Sequence, residues 1–234
     1  MKKLLCMGML LGSCAWADGL ILTTEDAAPY NYTTDGGKTI VGSATEAIHE
    51  LFKRTKISYK ITLYPWVRAL EMAKSEKDTC VYSTTRTEER EKQFAWVGPI
   101  APNDWVLFAK ADSTIKLASL DDAKKYKVGG YRGDAVTLYL QEQKFVMDEA
   151  ANDDQTAQKL EAGRIDLWAT GNLGGPFVAN KMKTKIKPLL TFKKTELYLA
   201  CNKGVAPDTI NQLNATLQAM VKDGTMEKIT KKYQ

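Results

Sequence analysis

Apolar residues in this chain follow two rhythms that take turns. Short runs at Leu20 to Thr24, Ile57 to Leu63 and Thr79 to Tyr82 have the length and β-branched content of buried strands. Between them the apolar positions fall three and four apart. From Ser43 to about Lys53, Ala44, Ala47, Ile48, Leu51 and Phe52 line one face of a helix that Ser43 is placed to cap. Pro65 suits a first helical turn, and Trp66, Ala69, Leu70 and Ala73 keep helical spacing after it. A polar loop, Glu25 to Lys38, separates the first strand from the first helix.

A second series begins with a strand at Trp105 to Lys110. A short helix is predicted from Ser119 and a strand over Tyr126 to Gly130. Gly133-Asp134 opens a helix to about Gln143, and Val146 lies in a further short strand. A capped helix over Asn152 to Ala162 precedes a strand over Ile165 to Thr170, and a glycine-rich turn leads into a helix through Lys183. Strands at Ile186 to Phe192 and Leu197 to Cys201, then helices at Pro207 to Asp223 and Thr225 to Tyr233, complete the pattern. Such alternation predicts an α/β fold with parallel sheets. The two halves join near Pro99 to Trp105 and again near Phe192 to Leu197. That predicts a discontinuous lobe I (18–101 and 197–234) and an inserted lobe II (102–196). Ligands bind beyond the C-terminal ends of parallel strands, and two facing sheets put both sets of ends on one cleft.

The densest chemistry lies between Tyr82 and Ile100. Ser83, Thr84, Thr85 and Thr87 follow the third strand, then comes a charged turn, Glu88 to Lys92, and an apolar run broken by Pro99. Hydroxyls and backbone N–H groups donating to one oxygen, with a guanidinium able to grip a carboxylate at two points, form an anion clamp. Taken alone, Arg90 reads as a member of a solvated charge run, paired with Glu88, Glu89 or Glu91. The order strand, Ser/Thr cluster, T-x-E-R and aromatic run ending near proline resembles periplasmic solute-binding protein family 3, the amino-acid-binding components of ABC importers. The resemblance covers the chain after its first 17 residues. It implies a two-lobed, periplasmic-binding-protein-like fold of type II with a two-strand hinge. It also implies that Arg90 holds a ligand carboxylate, with Ser83 and Thr85 as hydroxyl donors.

Other positions follow from the same resemblance. Tyr30 and Trp66 stand where the family places aromatic residues against the ligand; otherwise they are a loop tyrosine over the sheet end and a core tryptophan. Gly130 to Asp134 is similar to the family's V-G-x-x-x-G-[ST] segment, so Gly133 and Asp134 border the cleft. Asp134 replaces the usual Ser or Thr and reads first as an N-cap carboxylate at the positive end of a helix. Gly163 to Ala169 resembles the family's G-R-[IV]-D-A strand. The aspartate that usually binds the ligand ammonium five residues after Asp166 is here Gly171, followed by Asn172. An unpaired buried ammonium is costly. Glu25, Asp134 or Asn172 is left to substitute for it, or the ligand lacks an adjacent amine, or it is a modified amino acid or short peptide.

Composition adds bounds. With 26% charged and 44% hydrophobic residues the chain is ordinary for a globular protein. Residues 1–17 read as a secretory signal: Lys2 and Lys3, an apolar core from Leu4 to Leu11, and an Ala15-Trp16-Ala17 cleavage site. The mature chain then begins at Asp18 in the periplasm; a lipobox-like Leu11 to Cys14 is the weaker alternative. Without Lys2 and Lys3, the basic residues fall from 33 to 31 against 28 acidic ones, leaving +3. The charges are interspersed, so nucleic acid is not an expected partner. Cys80 and Cys201 remain, either as one disulfide or as two buried thiols. No spacing suggests a metal site, a nucleotide loop or another cofactor. The expected partners are a small ligand bearing a carboxylate and an ABC transporter permease, with the protein a monomer. Two other functions stay open: an enzyme on the same fold performing an elimination, with Glu25 or Asp134 as acid or base, and a sensory protein presenting ligand to a membrane receptor.

Overall fold

The computed structural model describes residues 19–35 and 38–233. The expected secretory segment, with Cys6 and Cys14, lies outside the described residues. The chain runs β1 (Leu20–Thr24), β2 (Tyr32–Thr33), β3 (Ile40–Val41), α1 (Ser43–Thr55), β4 (Tyr59–Leu63), α2 (Trp66–Ser75), β5 (Thr79–Thr85), α3 (Glu88–Glu91) and β6 (Ala95–Pro102). It continues through β7 (Trp105–Lys110), a 3-10 turn (Asp121–Lys125), β8 (Val128–Tyr131), α4 (Ala135–Glu142), β9 (Met147–Ala150), α5 (Asp153–Glu161), β10 (Leu167–Gly171) and α6 (Gly174–Lys181). β11 (Ile186–Lys193), β12 (Glu196–Cys201), α7 (Pro207–Lys222) and α8 (Thr225–Lys231) end it.

Two five-stranded sheets result, ordered β4-β1-β5-β12-β6 and β11-β7-β10-β8-β9. Neither is wholly parallel. β1 pairs in parallel with β4 and β5, and β8 with β9 and β10. The strands that carry the chain between sheets, β6, β7, β11 and β12, pair antiparallel. The reason is topological: β6 carries the chain out of the first sheet and β12 brings it back beside β6, while β7 enters the second sheet and β11 leaves it beside β7, so each outgoing strand lies against a returning one. The chain crosses at Asn103-Asp104 and returns at Lys194-Thr195. The crossings are tied together, Asn103 N–H donating to the Thr195 carbonyl at 2.8 Å and the Thr195 hydroxyl to the Asn103 carbonyl.

Helices cover both faces of each sheet. α1, α7 and α8 bury Ile48, Leu51, Leu213 and Ile229 on one face of the first sheet, and α2 buries Ala69 and Ala73 on the other. α4 packs Val136 and Leu140 on the second sheet, and α5 and α6 pack Leu160 and Val178 on its far face. Cys80 and Cys201 face each other across β5 and β12 and are joined, with Cα atoms 3.9 Å apart.

Several boundaries differ from the expectation. α1 is capped by Gly42, and Ser43 makes no cap bond. The N–H groups of Ser43, Ala44 and Thr45 are instead taken by the carbonyls of Pro29 and Tyr30. Val146 lies outside β9 and is 91% exposed. β5 extends through the hydroxyl cluster to Thr85, because β12 pairs with Thr84 and Thr85.

Candidate functional site

A cavity of about 410 Å³ opens between the two sheets. Its walls are the segments that leave β1, β4 and β5 on one side and β8, β9 and β10 on the other. All six strands end there, as ligand sites on parallel sheets require.

Arg90 is the buried cation of this cavity. Thr87 caps α3, its hydroxyl accepting from the Arg90 N–H at 3.3 Å. That single turn points Glu88, Glu89 and Glu91 outward and Arg90 inward, where it is only 3% exposed. Glu91 pairs with Arg86, at 2.6 Å, so the solvated charge run describes the neighbours of Arg90 rather than Arg90 itself. The guanidinium donates to the carbonyls of Thr85 (3.3 Å) and Gly133 (3.0 Å) and lies 5.3 Å from the centre of the Trp66 ring. Burial holds it below the ordinary arginine value, opposed by the acidic field of Asp134. Two of its five N–H groups are used, which leaves donors for an anion.

β5 reaches Arg90 through a bulge. Its register with β12 shifts between Tyr198 and Ala200, and Ser83 takes φ 60°. A bulge re-aims a side chain that regular pleating would send elsewhere. The Ser83 hydroxyl is buried at the cavity wall and has no partner among the described residues, and Thr85 lines the same wall.

Three carboxyl groups face this end of the cavity. Glu25 leaves β1 in a loop pinned by Asn31, whose amide donates to the Glu25 carbonyl at 2.7 Å. Its carboxylate accepts from the Tyr131 hydroxyl of the opposite lobe at 2.9 Å. Burial, then the charges of Asp134 and Asp153, raises Glu25 well above the carboxylate range. Asp134 stands at the N-cap of α4 but makes no side-chain cap bond. Burial lifts it to about 6, against the pull of Arg90 and of the N–H groups at the helix start. Asp153 opens α5 and accepts from Trp168 Nε1 and the Thr170 hydroxyl, both at 2.9 Å. Burial and the charge of Asp134 push it to about 7. Asp153 was absent from the sequence candidates. Its signal was its place, the first turn of a helix directly after a parallel strand, as Asp134 is after β8.

The remaining candidates separate. Trp66 is 6% exposed and lines the cavity, while its Nε1 donates across the cleft to the Gly133 carbonyl at 2.8 Å. Gly133 thus accepts from both Trp66 and Arg90; its φ of +75° suits glycine. Tyr30 also lines the cavity, but its hydroxyl is spent on the Pro102 carbonyl at 2.8 Å. Asn172 is not among the cavity residues; its backbone N–H donates to the Asp104 carbonyl, and its side-chain Oδ1 is buried without a partner among the described residues. Gly171 does line the cavity, but a Cβ there would sit 2.1 Å from Asn103 Oδ1. Among the described residues no group of three or more His, Cys, Asp or Glu could hold a metal ion, and no helix is long and apolar enough to cross a membrane.

The family model described as bacterial extracellular solute-binding proteins, family 3, matches residues 20–234. The L-cystine-binding protein TcyJ of Escherichia coli (strain K12) is 24% identical over 209 residues, covering 88% of this chain and 78% of the relative. Among solved structures, a histidine kinase sensor domain with similarity to periplasmic binding proteins superposes with TM-score 0.84 at 20% identity, covering 92% of this chain and 96% of that one. An ancestral arginine-binding protein bound to arginine gives TM-score 0.80 at 24% identity, with 92% and 97% covered. At these identities the structural likeness concerns the fold.

Proposed function

Because the chain belongs to the bacterial extracellular solute-binding proteins of family 3, we propose that it captures an amino acid or a related small carboxylate between its lobes, in the periplasm, and hands it to the permease of an ABC importer. The observation that carries this reading is the buried guanidinium of Arg90, lining the same cavity as a Ser83 hydroxyl that has no partner among the described residues. A ligand carboxylate takes the free Arg90 donors, with Ser83 and Thr85 supporting it. Glu25, Asp134 and Asp153 face the ligand's ammonium, so the carboxylate missing at Gly171 is supplied from other elements. The ligand favours the joined lobes through its differential affinity for that form. The L-cystine-binding relative also takes an amino acid.

Calorimetry tests the assignment. Arg90→Ala should weaken binding by roughly 2–5 kcal/mol, the effect of removing one partner of a buried charge pair. Undiminished affinity in the variant rejects it. One observation favours a second reading. Glu25, raised well above the ordinary carboxylate value by burial and by Asp134 even though it accepts from the Tyr131 hydroxyl, has the environment of a general acid. Turnover of a bound carboxylate by the purified protein, in place of simple saturation, would establish that role.

A further inference from the structure

Resting on the reading that Arg90 takes a ligand carboxylate, we propose that this site selects ligands carrying more positive than negative charge, amino acids with a cationic side chain, and that capture of the second cation expels protons from the cavity. The argument begins with the charges that face one another. Inside, Glu25, Asp134 and Asp153 stand against the one guanidinium of Arg90. At the rim Asp154 is already matched by Lys181 at 2.7 Å, and Asp26 is exposed. Tyr131 is held neutral by burial and by the same carboxyl groups. Glu89 acts on Arg90 from the exposed outer side. The interior therefore holds two acidic groups more than it holds cations.

An amino acid with an uncharged side chain does not change that balance. Its carboxylate occupies Arg90, its ammonium satisfies one acid, and two carboxyl groups stay without a counter-charge. Half-buried and facing one another, such groups bind protons more readily than they do in water. The values of Asp134, near 6, and Asp153, near 7, agree with that. A side-chain ammonium or guanidinium removes the need for one of those protons. The donors already present suit this. Both Asp153 oxygens are oriented by Trp168 and Thr170, and one Glu25 oxygen by Tyr131, so the acids are held in place for a cation.

The sign of the pH effect follows. Lowering the pH protonates the acids and competes with a cationic ligand, so affinity for a basic amino acid falls, tenfold per pH unit for each proton expelled. A ligand with an uncharged side chain leaves those protons in place and shows no such fall. Titration calorimetry of the purified protein with L-arginine, L-lysine, L-glutamine and L-glutamate, at pH 8, 7 and 5.5 in two buffers of different ionisation enthalpy, reads both quantities. We expect L-arginine or L-lysine to bind at least tenfold more tightly than L-glutamine at pH 8, and to lose about tenfold or more by pH 5.5, with protons released to buffer. Asp153→Asn and Glu25→Gln, each checked for an intact thermal transition, should shrink both the preference and the pH slope. Equal or tighter binding of glutamine or glutamate, or a flat pH profile for the basic ligands, overturns the inference. If glutamine wins and Arg90→Ala still abolishes its binding, the carboxylate reading survives alone. If no amino acid binds, both fall.

Discussion

Replacing Asp153 by asparagine isolates one titration in the cavity wall. The aspartate Oδ1 accepts from Trp168 Nε1 and Oδ2 from the Thr170 hydroxyl, both at 2.9 Å. Asparagine keeps an acceptor for the indole and presents its amide to a hydroxyl that can also accept, so little packing changes. The titration disappears. Asp153 is raised from 3.8 to about 7 by burial first and by Asp134 next. A carboxyl raised in the folded state stabilises the fold fully below its unfolded value, and that contribution is lost as the pH rises through the folded value. Relative to acid, the ligand-free protein loses about 2 kcal/mol through this group at pH 5 and about 4 kcal/mol at pH 8. The change between the two is about 2–3 kcal/mol, a ceiling that any opening of the cleft reduces by rehydrating the group. Urea unfolding of both proteins at pH 5 and pH 8, followed by tryptophan fluorescence, measures it. The wild type should lose stability on going from pH 5 to pH 8, and Asp153→Asn should lose about 2 kcal/mol less. Glu25 and Asp134 supply the slope that remains. Identical slopes for the two proteins refute the reasoning, because they mean Asp153 stays ionised in the folded cavity.

Three further perturbations test other parts of the structure. Gly133→Ala forces a left-handed residue to carry a Cβ 3.1 Å from Val67 Cγ2, at about 1–2 kcal/mol. It also displaces the carbonyl that Trp66 and Arg90 share, so both melting temperature and ligand affinity should drop, and a variant matching wild type in both contradicts that role for the Gly133 carbonyl. Tyr30→Phe removes the bond to the Pro102 carbonyl and a longer one to Asn103 Oδ1 at 3.5 Å and should lower stability by about 1 kcal/mol, with ligand affinity nearly unchanged; a large loss of affinity would put that hydroxyl on the ligand. The Cys80–Cys201 bridge spans a sequence separation of 121, and its removal should cost about 5 kcal/mol in the chain-entropy description. An unshifted urea midpoint after reduction, with both thiols titrated, contradicts that.

The lobes were legible because their signals are local and repeated. All five apolar positions assigned to one face of α1 are buried, and the second series of strands and helices appears in its expected order. What local pattern did not contain is what distant segments decide. Ser43 reads as a cap, yet the helix start is satisfied by Pro29 and Tyr30 carbonyls brought in by the loop before it. Ser83 to Thr85 reads as a hydroxyl cluster beyond the end of the third strand, and pairing with a strand more than a hundred residues later makes it part of β5. Arg90 could not be told from its charged neighbours by type. One helical turn, capped by Thr87, separates the side chain that goes inward from those that stay in water.

In the proposed reading Asp153 serves where a carboxylate at position 171 would, and the cause is of the same kind. Asn103 occupies the first crossing between lobes, fixed there by its backbone bonds with Thr195. Its side-chain oxygen fills the space that any Cβ at position 171 would need, 2.1 Å from the ideal site. An aspartate at 171 would first have to move the Asn103 amide away from the crossing. A carboxyl group on α5 meets no such obstacle. Asp153 enters the same cavity from the first turn of that helix, where the aligned N–H groups favour negative charge and two side-chain donors orient it. The cavity thus presents an acid with glycine at 171, and the arrangement ties that glycine to the geometry of the crossing. Asn103→Ala, which clears the space, should let Gly171→Asp fold with near wild-type stability, whereas Gly171→Asp alone should be destabilised; equal stability of the two variants would show that the Asn103 amide moves freely.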